Sequence, residues 1–384
     1  MMSIYFDNSA TTELSVKAKE KMAEAFEVYG NPSSVHSVGD RAAEMLSRCR
    51  GDVARALGVS GGKLIFTSGG SEANNFALKG VAFSKKRYRG GKIIISAAEH
   101  PSVLKTASFL ESEGFRVVRI DARGGVFDLD TFEKELTGDV FLVSVMLVNN
   151  ELGYINDVNR IYDIAKRTTG AVVHTDAVQG FSKVKGVKAD LVSVSGHKIG
   201  GPKGVGALFI KDEIIKSRGI TPLINGGEQE YDLRAGTENL IGIAGFAGAA
   251  EYRFENECKI AENTEKIGGI IKDGLRNVPE IRIHTPESGA VPSIINLSVG
   301  SIRAETLTNY LSSVGIMISA GSACSSKSRE LSPALLSFGL SEAEARTAVR
   351  ISIGENNTED DARELVSALR SALNSLRGAV WQKR

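Results

Sequence analysis

Cysteine is scarce in this chain: Cys49, Cys258 and Cys324 are the only three in 384 residues. They are odd in number and far apart, which excludes a disulfide framework and any CxxC metal knuckle. The five histidines show no HExxH-type spacing, so no structural metal is expected. Charge of either sign is nearly balanced, at a net +1 with Lys and Arg interspersed among Asp and Glu. No field therefore exists to steer a polyanion, and binding to nucleic acid or a membrane surface is not suggested. No apolar run is long enough to span a bilayer, and the N-terminus MMSIYFDNSATTE lacks a basic segment followed by an apolar core. A cytoplasmic protein is the default expectation. No internal repeat or low-complexity tract is present.

What the chain does have is an ordinary globular balance, 42% hydrophobic and 24% charged residues, and enough length for one large core plus a smaller lobe. Helical periodicity marks residues 16–29 and 41–57, joined by the polar turn Gly30-Asn31-Pro32-Ser33-Ser34. From Lys63 onward, short β-branched runs alternate with helix-compatible segments, at 64–66, 93–95, 117–118, 140–148, 171–173, 191–194 and 205–210. Near-continuous apolar runs suit strands covered on both faces by helices, and predict an α/β domain with a mainly parallel sheet. Around 251–272 a long, charged helical pattern leads away from that sheet. Beyond it, 293–299, 316–319 and 350–353 read as short strands, and Thr358 with Asp361 makes a capping-box pattern that opens a last helix over 360–376. The division expected is a large domain over 13–255 and a smaller α+β domain formed by 1–12 and 256–384.

Ligands of a doubly wound sheet bind beyond the carboxyl ends of its strands. After 64–66 comes Thr67-Ser68-Gly69-Gly70-Ser71-Glu72-Ala73-Asn74, a small-residue turn that opens a helix and suits a phosphate, although a plain strand-to-helix turn has the same composition. The later runs are followed by Glu99-His100-Pro101, by Asn149-Asn150-Glu151, by His174, Asp176 and Gln179, and by Ser195, His197 and Lys198. Each has an ordinary alternative: His100 as a helix cap, Asp176 as a turn residue, Gln179 as a surface amide, Lys198 as a solvated charge beside the glycine-dense turn that runs to Gly206. Together they supply a phosphate cradle, a carboxylate, an aromatic face and an amine. That inventory suits pyridoxal phosphate, which needs a lysine for its Schiff base and a carboxylate beside its pyridinium nitrogen.

The order of longer phrases is more specific. Tyr5-Phe6-Asp7-Asn8-Ser9-Ala10-Thr11-Thr12, Asn31-Pro32-Ser33-Ser34-Val35-His36, Thr67 to Asn74, Glu99 to Leu104, Asn149 to Gly153, His174-Thr175-Asp176-Ala177-Val178-Gln179-Gly180, Ser195 to Gly206, Arg234-Ala235-Gly236-Thr237-Glu238-Asn239, Gly321-Ser322-Ala323-Cys324-Ser325-Ser326 and Val349-Arg350-Ile351-Ser352 follow one another nearly end to end. In these phrases the chain resembles the NifS/IscS group of cysteine desulfurases, within the class V aminotransferase family of fold-type I pyridoxal-phosphate enzymes. The resemblance implies that Lys198 carries the cofactor as a Schiff base, that Asp176 pairs with the ring nitrogen, that Gln179 reaches the phenolic oxygen, and that His100 stacks on the ring and assists proton transfers. It implies a phosphate held by Gly70, Ser71, Ser195 and His197 and by Thr237 of a second subunit, hence a homodimer. Asn150 and Arg350 would hold the carboxylate of the substrate, L-cysteine.

Cys324 would separate desulfurisation from transamination, by taking the substrate's sulfur as a persulfide and passing it to an acceptor such as an iron–sulfur scaffold or a tRNA-thiolation enzyme. Its glycine- and serine-rich surroundings, 319–328, suit a loop that carries it between the cofactor and that acceptor. Cys49, in an amphipathic helix, and Cys258, in a charged helical stretch, fit structural or incidental roles. The nearest alternatives are selenocysteine lyase activity or another class V reaction, and, outside catalysis, a sulfur-carrier platform on the same fold. Two departures from many relatives stand out: Ser71 replaces threonine while keeping the hydroxyl, and Glu355-Asn356-Asn357 stands where a basic and an aromatic residue are usual.

Overall fold

The structure, a computed structural model, describes residues 3–84, 90–321 and 331–376. Its centre is a seven-stranded sheet. The strands in chain order are β1 (Ile4–Tyr5), β2 (Gly62–Thr67), β3 (Lys92–Ser96), β4 (Arg116–Ile120), β5 (Val140–Ser144), β6 (Val172–Asp176), β7 (Leu191–Ser195), β8 (Gly206–Lys211), β9 (Ile281–Ile283), β10 (Ile294–Val299), β11 (Ile316–Met317) and β12 (Ala348–Ser352). The large sheet runs β2-β8-β7-β6-β5-β3-β4. Only β8 opposes its neighbours, pairing antiparallel with both β2 and β7, while the other four pairings are parallel. The β-branched runs are therefore buried strands, as expected for a sheet covered on both faces.

Helices fill both faces. Gly70–Ala82 and Pro101–Ser112 pack with Ile65, Ile93, Ile95, Leu191 and Leu208. On another side, Val16–Phe26, Ser37–Leu57 and Leu240–Glu255 pack on one another. The last of these comes so close to the first that a Cβ at Gly248 would stand 2.4 Å from the Lys17 carbonyl oxygen. Only glycine allows that approach.

A second, separate apolar core gathers Phe6, Ile267, Leu297, Leu307, Ile351 and Leu369. It lies around the antiparallel sheet β12-β10-β9 and the parallel pair β1-β11, with the helices Glu257–Arg276, Ala304–Ser313 and Glu359–Leu376. The capping pair forms as read from sequence: Thr358 N–H donates to Asp361 Oδ2 at 2.8 Å, and Asp361 N–H donates to Thr358 Oγ1 at 3.2 Å.

Element ends differ from the periodicity. The ladder of β5 stops at Ser144, and Val145 to Val148 stay buried beyond it. The charged helical stretch is two helices meeting at Asn256. The strand β9 was not foreseen, because three residues carry no period. Among the described residues no helix is long and apolar enough to cross a membrane.

One segment holds an unfavourable backbone. Glu230, Tyr231 and Asp232 all have positive φ, between 48° and 64°, a region that costs non-glycine residues free energy. Glu230 offsets this by accepting from Arg50 Nη1 and Nη2 at 2.6 and 2.8 Å and from Phe66 N–H at 2.8 Å, at a buried site. A Glu230→Ala change leaves Arg50 and the Phe66 amide without that partner. We expect a loss of about 3–5 kcal/mol in folding free energy, measured by chemical denaturation; a loss under 1 kcal/mol would show that the pair does not hold the segment.

Candidate active site

The carboxyl ends of β2, β3, β5, β6 and β7 open on one cleft of about 220 Å³. It is lined by Gly70, Ser71, His100, Asn150, Asp176, Gln179, Ser195, His197, Lys198 and Arg350. Of the residues expected in the site from sequence, Thr237 is exposed and does not line this cleft. Cys324 lies outside the described residues.

The phosphate-like cradle follows from two glycines. The helix Gly70–Ala82 starts with no side-chain cap, so its first amides remain available to an anion. A Cβ at Gly70 would stand 2.8 Å from Val178 Cγ2, and one at Gly206 would stand 2.7 Å from the Gly69 backbone. The turn is thus packed down on β8 with no side chain intervening. Glu72 ties the turn to the 230s loop, accepting from Ser68 N–H at 2.8 Å and from Arg234 Nε at 2.9 Å.

Asp176 ends β6 nearly buried. Its Oδ1 accepts from Val178 N–H at 2.9 Å and its Oδ2 from Asn74 Nδ2 at 2.7 Å. Asn74 also donates to Ser102 Oγ at 2.9 Å, and Ser102 Oγ lies 2.8 Å from His100 Nδ1. The Ser102 backbone amide donates to that same nitrogen at 3.1 Å, which makes Nδ1 an acceptor and leaves the proton on Nε2. Burial drives the His100 pKa down, with Asp176 opposing and Lys198 adding to the effect. His100 is a helix cap and a cleft residue at once. Asn74 and Ser102, which set its tautomer, gave no signal in sequence beyond their place in the two turns.

Lys198 sits in the short turn Gly196–Lys198, and its Nζ donates to the carbonyls of Ser9 at 2.6 Å and Ala10 at 2.9 Å. The same Ser9 carbonyl accepts from Gln179 Nε2 at 3.0 Å. Thr12 fixes the turn from both sides, its Oγ1 donating to the His197 carbonyl at 3.0 Å and accepting from Gly200 N–H at 2.8 Å. Burial and the neighbouring Lys198 and Lys203 lower the His197 pKa to about 4. Arg350 is buried on β12. Its Nη2 pairs with Asp7 at 2.8 Å, its Nη1 donates to the Asn150 carbonyl at 3.0 Å, and its Nε has no partner among the described residues. Asp7, contributed from 343 residues away, had not been singled out for this role.

Three acidic or basic groups that follow the strands serve the core instead. His174 bridges Ser144 Oγ at 2.8 Å and Ser193 Oγ at 2.9 Å, and burial lowers its pKa to about 3. Glu99 accepts from Met146 N–H at 2.6 Å, and its pKa is raised by burial and by Asp176. Glu151 accepts from Ser332 Oγ at 2.8 Å, and burial raises its pKa as well. Cys49 is buried, with its thiol pushed up to about 11, and Cys258 is exposed.

Comparison with known proteins is consistent along the whole chain. Residues 4–365 match the family described as Aminotransferase class-V. The chain is 39% identical to a Clostridium botulinum protein named cysteine desulfurase IscS, over 99% of this chain and 97% of the other. A solved NifS-like protein superposes with a TM-score of 0.89 at 37% identity, covering 98% of this chain and all of that one. Another, described as SspA in complex with cysteine, gives 0.81 at 32% identity over 93% of this chain and all of its own.

The burial of His174 predicts a pH effect. Its pKa is lowered in the folded state, so it contributes stability that is present above the unfolded value near 6.5 and lost as pH falls toward about 3. Between pH 6 and 4, folding free energy should fall by about 1.4 kcal/mol per pH unit more steeply in the wild type than in His174→Asn. Equal slopes in urea titrations across that window would contradict the assignment.

Proposed function

The chain belongs to the class-V aminotransferase family and, within it, to the cysteine desulfurases, and from that premise we propose that it removes sulfur from L-cysteine, yielding L-alanine and a persulfide on Cys324. The observation that carries this reading is the meeting of Lys198, Asp176, His100 and Arg350 in one cleft with both described ends of the Cys324 segment tied at its edge. Ser319 bridges Arg350 backbone to backbone, and Ser332 donates to Glu151. Cys324 is three residues beyond Gly321, a reach of about 11 Å at full extension.

Pyridoxal phosphate fits this cleft. An uncapped helix start, a glycine whose Cβ would fill the cradle, a buried carboxylate and a lysine amine are the groups its phosphate, ring nitrogen and aldehyde require. Gly70, Ser71, Ser195 and His197 would hold the phosphate, Asp176 the ring nitrogen, Gln179 the phenolic oxygen and Lys198 the aldehyde carbon. When bound, it supplies an electron-accepting ring that labilises bonds at the substrate's α-carbon.

The chain's own residues do the remainder. Arg350, whose Nε has no partner among the described residues and whose Nη1 meets the Asn150 carbonyl, orients the substrate carboxylate. Lys198 takes and returns a proton once its amine is free of the cofactor. The neutral His100, with its proton on Nε2, is a donor for proton transfer in the cleft. Cys324 as thiolate attacks the substrate's sulfur: a sulfur–sulfur bond forms, the carbon–sulfur bond breaks, and the electron pair stays with the carbon, which is protonated to give alanine. Glu151, whose Oε2 lies 3.8 Å from where a Gly321 Cβ would be, has its pKa raised by burial, with Ser332 and Arg350 opposing.

The exposure of Thr237, on a loop fixed by Arg234 and Glu230, suits delivery to the phosphate of a second copy, in a homodimer. A large domain over 13–255 and a small one of 1–12 with 256–384 fits the second apolar core, whose members all come from the latter residues. The persulfide passes to an acceptor protein of iron–sulfur assembly or tRNA thiolation in the cytoplasm.

Incubation with L-cysteine should yield alanine and a 32-dalton adduct on the Cys324 peptide by mass spectrometry, and Cys324→Ser should lower sulfide release on the order of 1,000-fold. Undiminished release from Cys324→Ser would overturn the mechanism. Replacing His100 by Ala should slow alanine formation about 100-fold or more while the Lys198 Schiff-base absorbance band persists.

A further inference from the structure

A second cavity of about 120 Å³ lies behind Lys198, sharing only Lys198 and Ser9 with the cofactor cleft. Its walls come from both apolar cores: Lys183 and Arg253 from the side of the large sheet, Ser293 and Ile353 from beside the small one. The charge in it is unbalanced. Lys183, Lys198 and Arg253 line it, against a single carboxylate, Glu257, which pairs with Lys185 at 2.7 Å.

Among the described residues Lys183 has no ion pair, and Arg253 has a loose one. The only hydrogen bond of Lys183 among the described residues is a long one, 3.5 Å to Gln179 Oε1. Arg253 donates from Nε to the Ile199 carbonyl at 3.2 Å and meets Glu355 only at 3.6 Å. Ser293, 5% exposed, lines the same cavity with its Oγ buried and without a partner among the described residues. A buried hydroxyl left unpaired costs free energy, as do like charges held near one another.

We propose that this cavity binds a small inorganic anion of halide or oxyanion size, held by Lys183 and Arg253 and hydrogen-bonded by the Ser293 hydroxyl. A single bound anion would neutralise the cationic excess and satisfy the orphan hydroxyl. It would also bridge the two cores. The charge around Lys183 agrees: the residue is exposed where it lines the cavity, and desolvation together with the neighbouring cations Arg253, Lys198 and Arg350 lowers its pKa. The anion would in addition hold the Lys183 ammonium charged beside Gln179. The test of this site reads anion binding and not turnover, so its failure is distinguishable from failure of the catalytic reading even though Lys198 and Ser9 line both cavities.

The test uses the cofactor-loaded protein. Its melting temperature is followed against sodium bromide and sodium sulfate, with sodium gluconate at matched ionic strength as a bulky, weakly coordinating control. A saturable rise with bromide and sulfate, absent with gluconate, is expected, with half-saturation about tenfold or more weaker in Lys183→Met and weakened in Ser293→Ala. Anomalous diffraction from bromide-soaked wild-type crystals should place bromide within hydrogen-bond distance of Lys183 Nζ, which keeps the question decidable if Lys183→Met does not fold. An equal rise in all three salts, an unchanged response in Lys183→Met, or bromide found only elsewhere, such as at Arg350, would overturn the proposal.

Discussion

A lysine ammonium drawn partly out of water needs acceptors, and here backbone carbonyls of a strap, Asp7 to Thr12, laid across the turn that carries it, supply them. Ser9 and Ala10 accept from Lys198, and the Ser9 carbonyl takes Gln179 as well. The strap is pinned at its other end to the small sheet, where Ser9 N–H donates to Ser352 Oγ at 2.8 Å and Asp7 meets Arg350. One short segment therefore satisfies the amine of one sheet and the guanidinium of the other. The cleft is the space left between them.

That arrangement explains why the buried polar groups divide into two kinds. Those facing the core, His174 and Glu99, are hydrogen-bonded to neighbouring strands or loops and pushed toward neutrality. Those facing the cleft keep spare capacity, as in the unpaired Nε of Arg350 and the uncapped start of the helix at Gly70. Unsatisfied groups beside a cavity are where a ligand supplies what the protein does not.

Much of this was legible in the chain. Apolar runs such as Ile93-Ile94-Ile95 read as two-sided strands because burial on both faces removes alternation, and polar residues just past them read as a site because parallel strands end on one edge. The reversal of β8 was not legible, since its apolar pattern is the same in either direction. Nor was Asp7 opposite Arg350, or Asn74 between Asp176 and Ser102, because such pairs depend on tertiary approach and leave no spacing rule. Local rules predicted the Thr358–Asp361 cap but not that the helical stretch at 251–272 would break at Asn256.

The contact between Asp7 and Arg350 joins positions 343 residues apart. During synthesis the strap precedes β12 by those 343 residues. The large sheet lies between the two in the chain and can assemble before β12 is made, domains forming as units while the chain lengthens. The wall of the cleft that β12 supplies is therefore added after the wall that carries the amine.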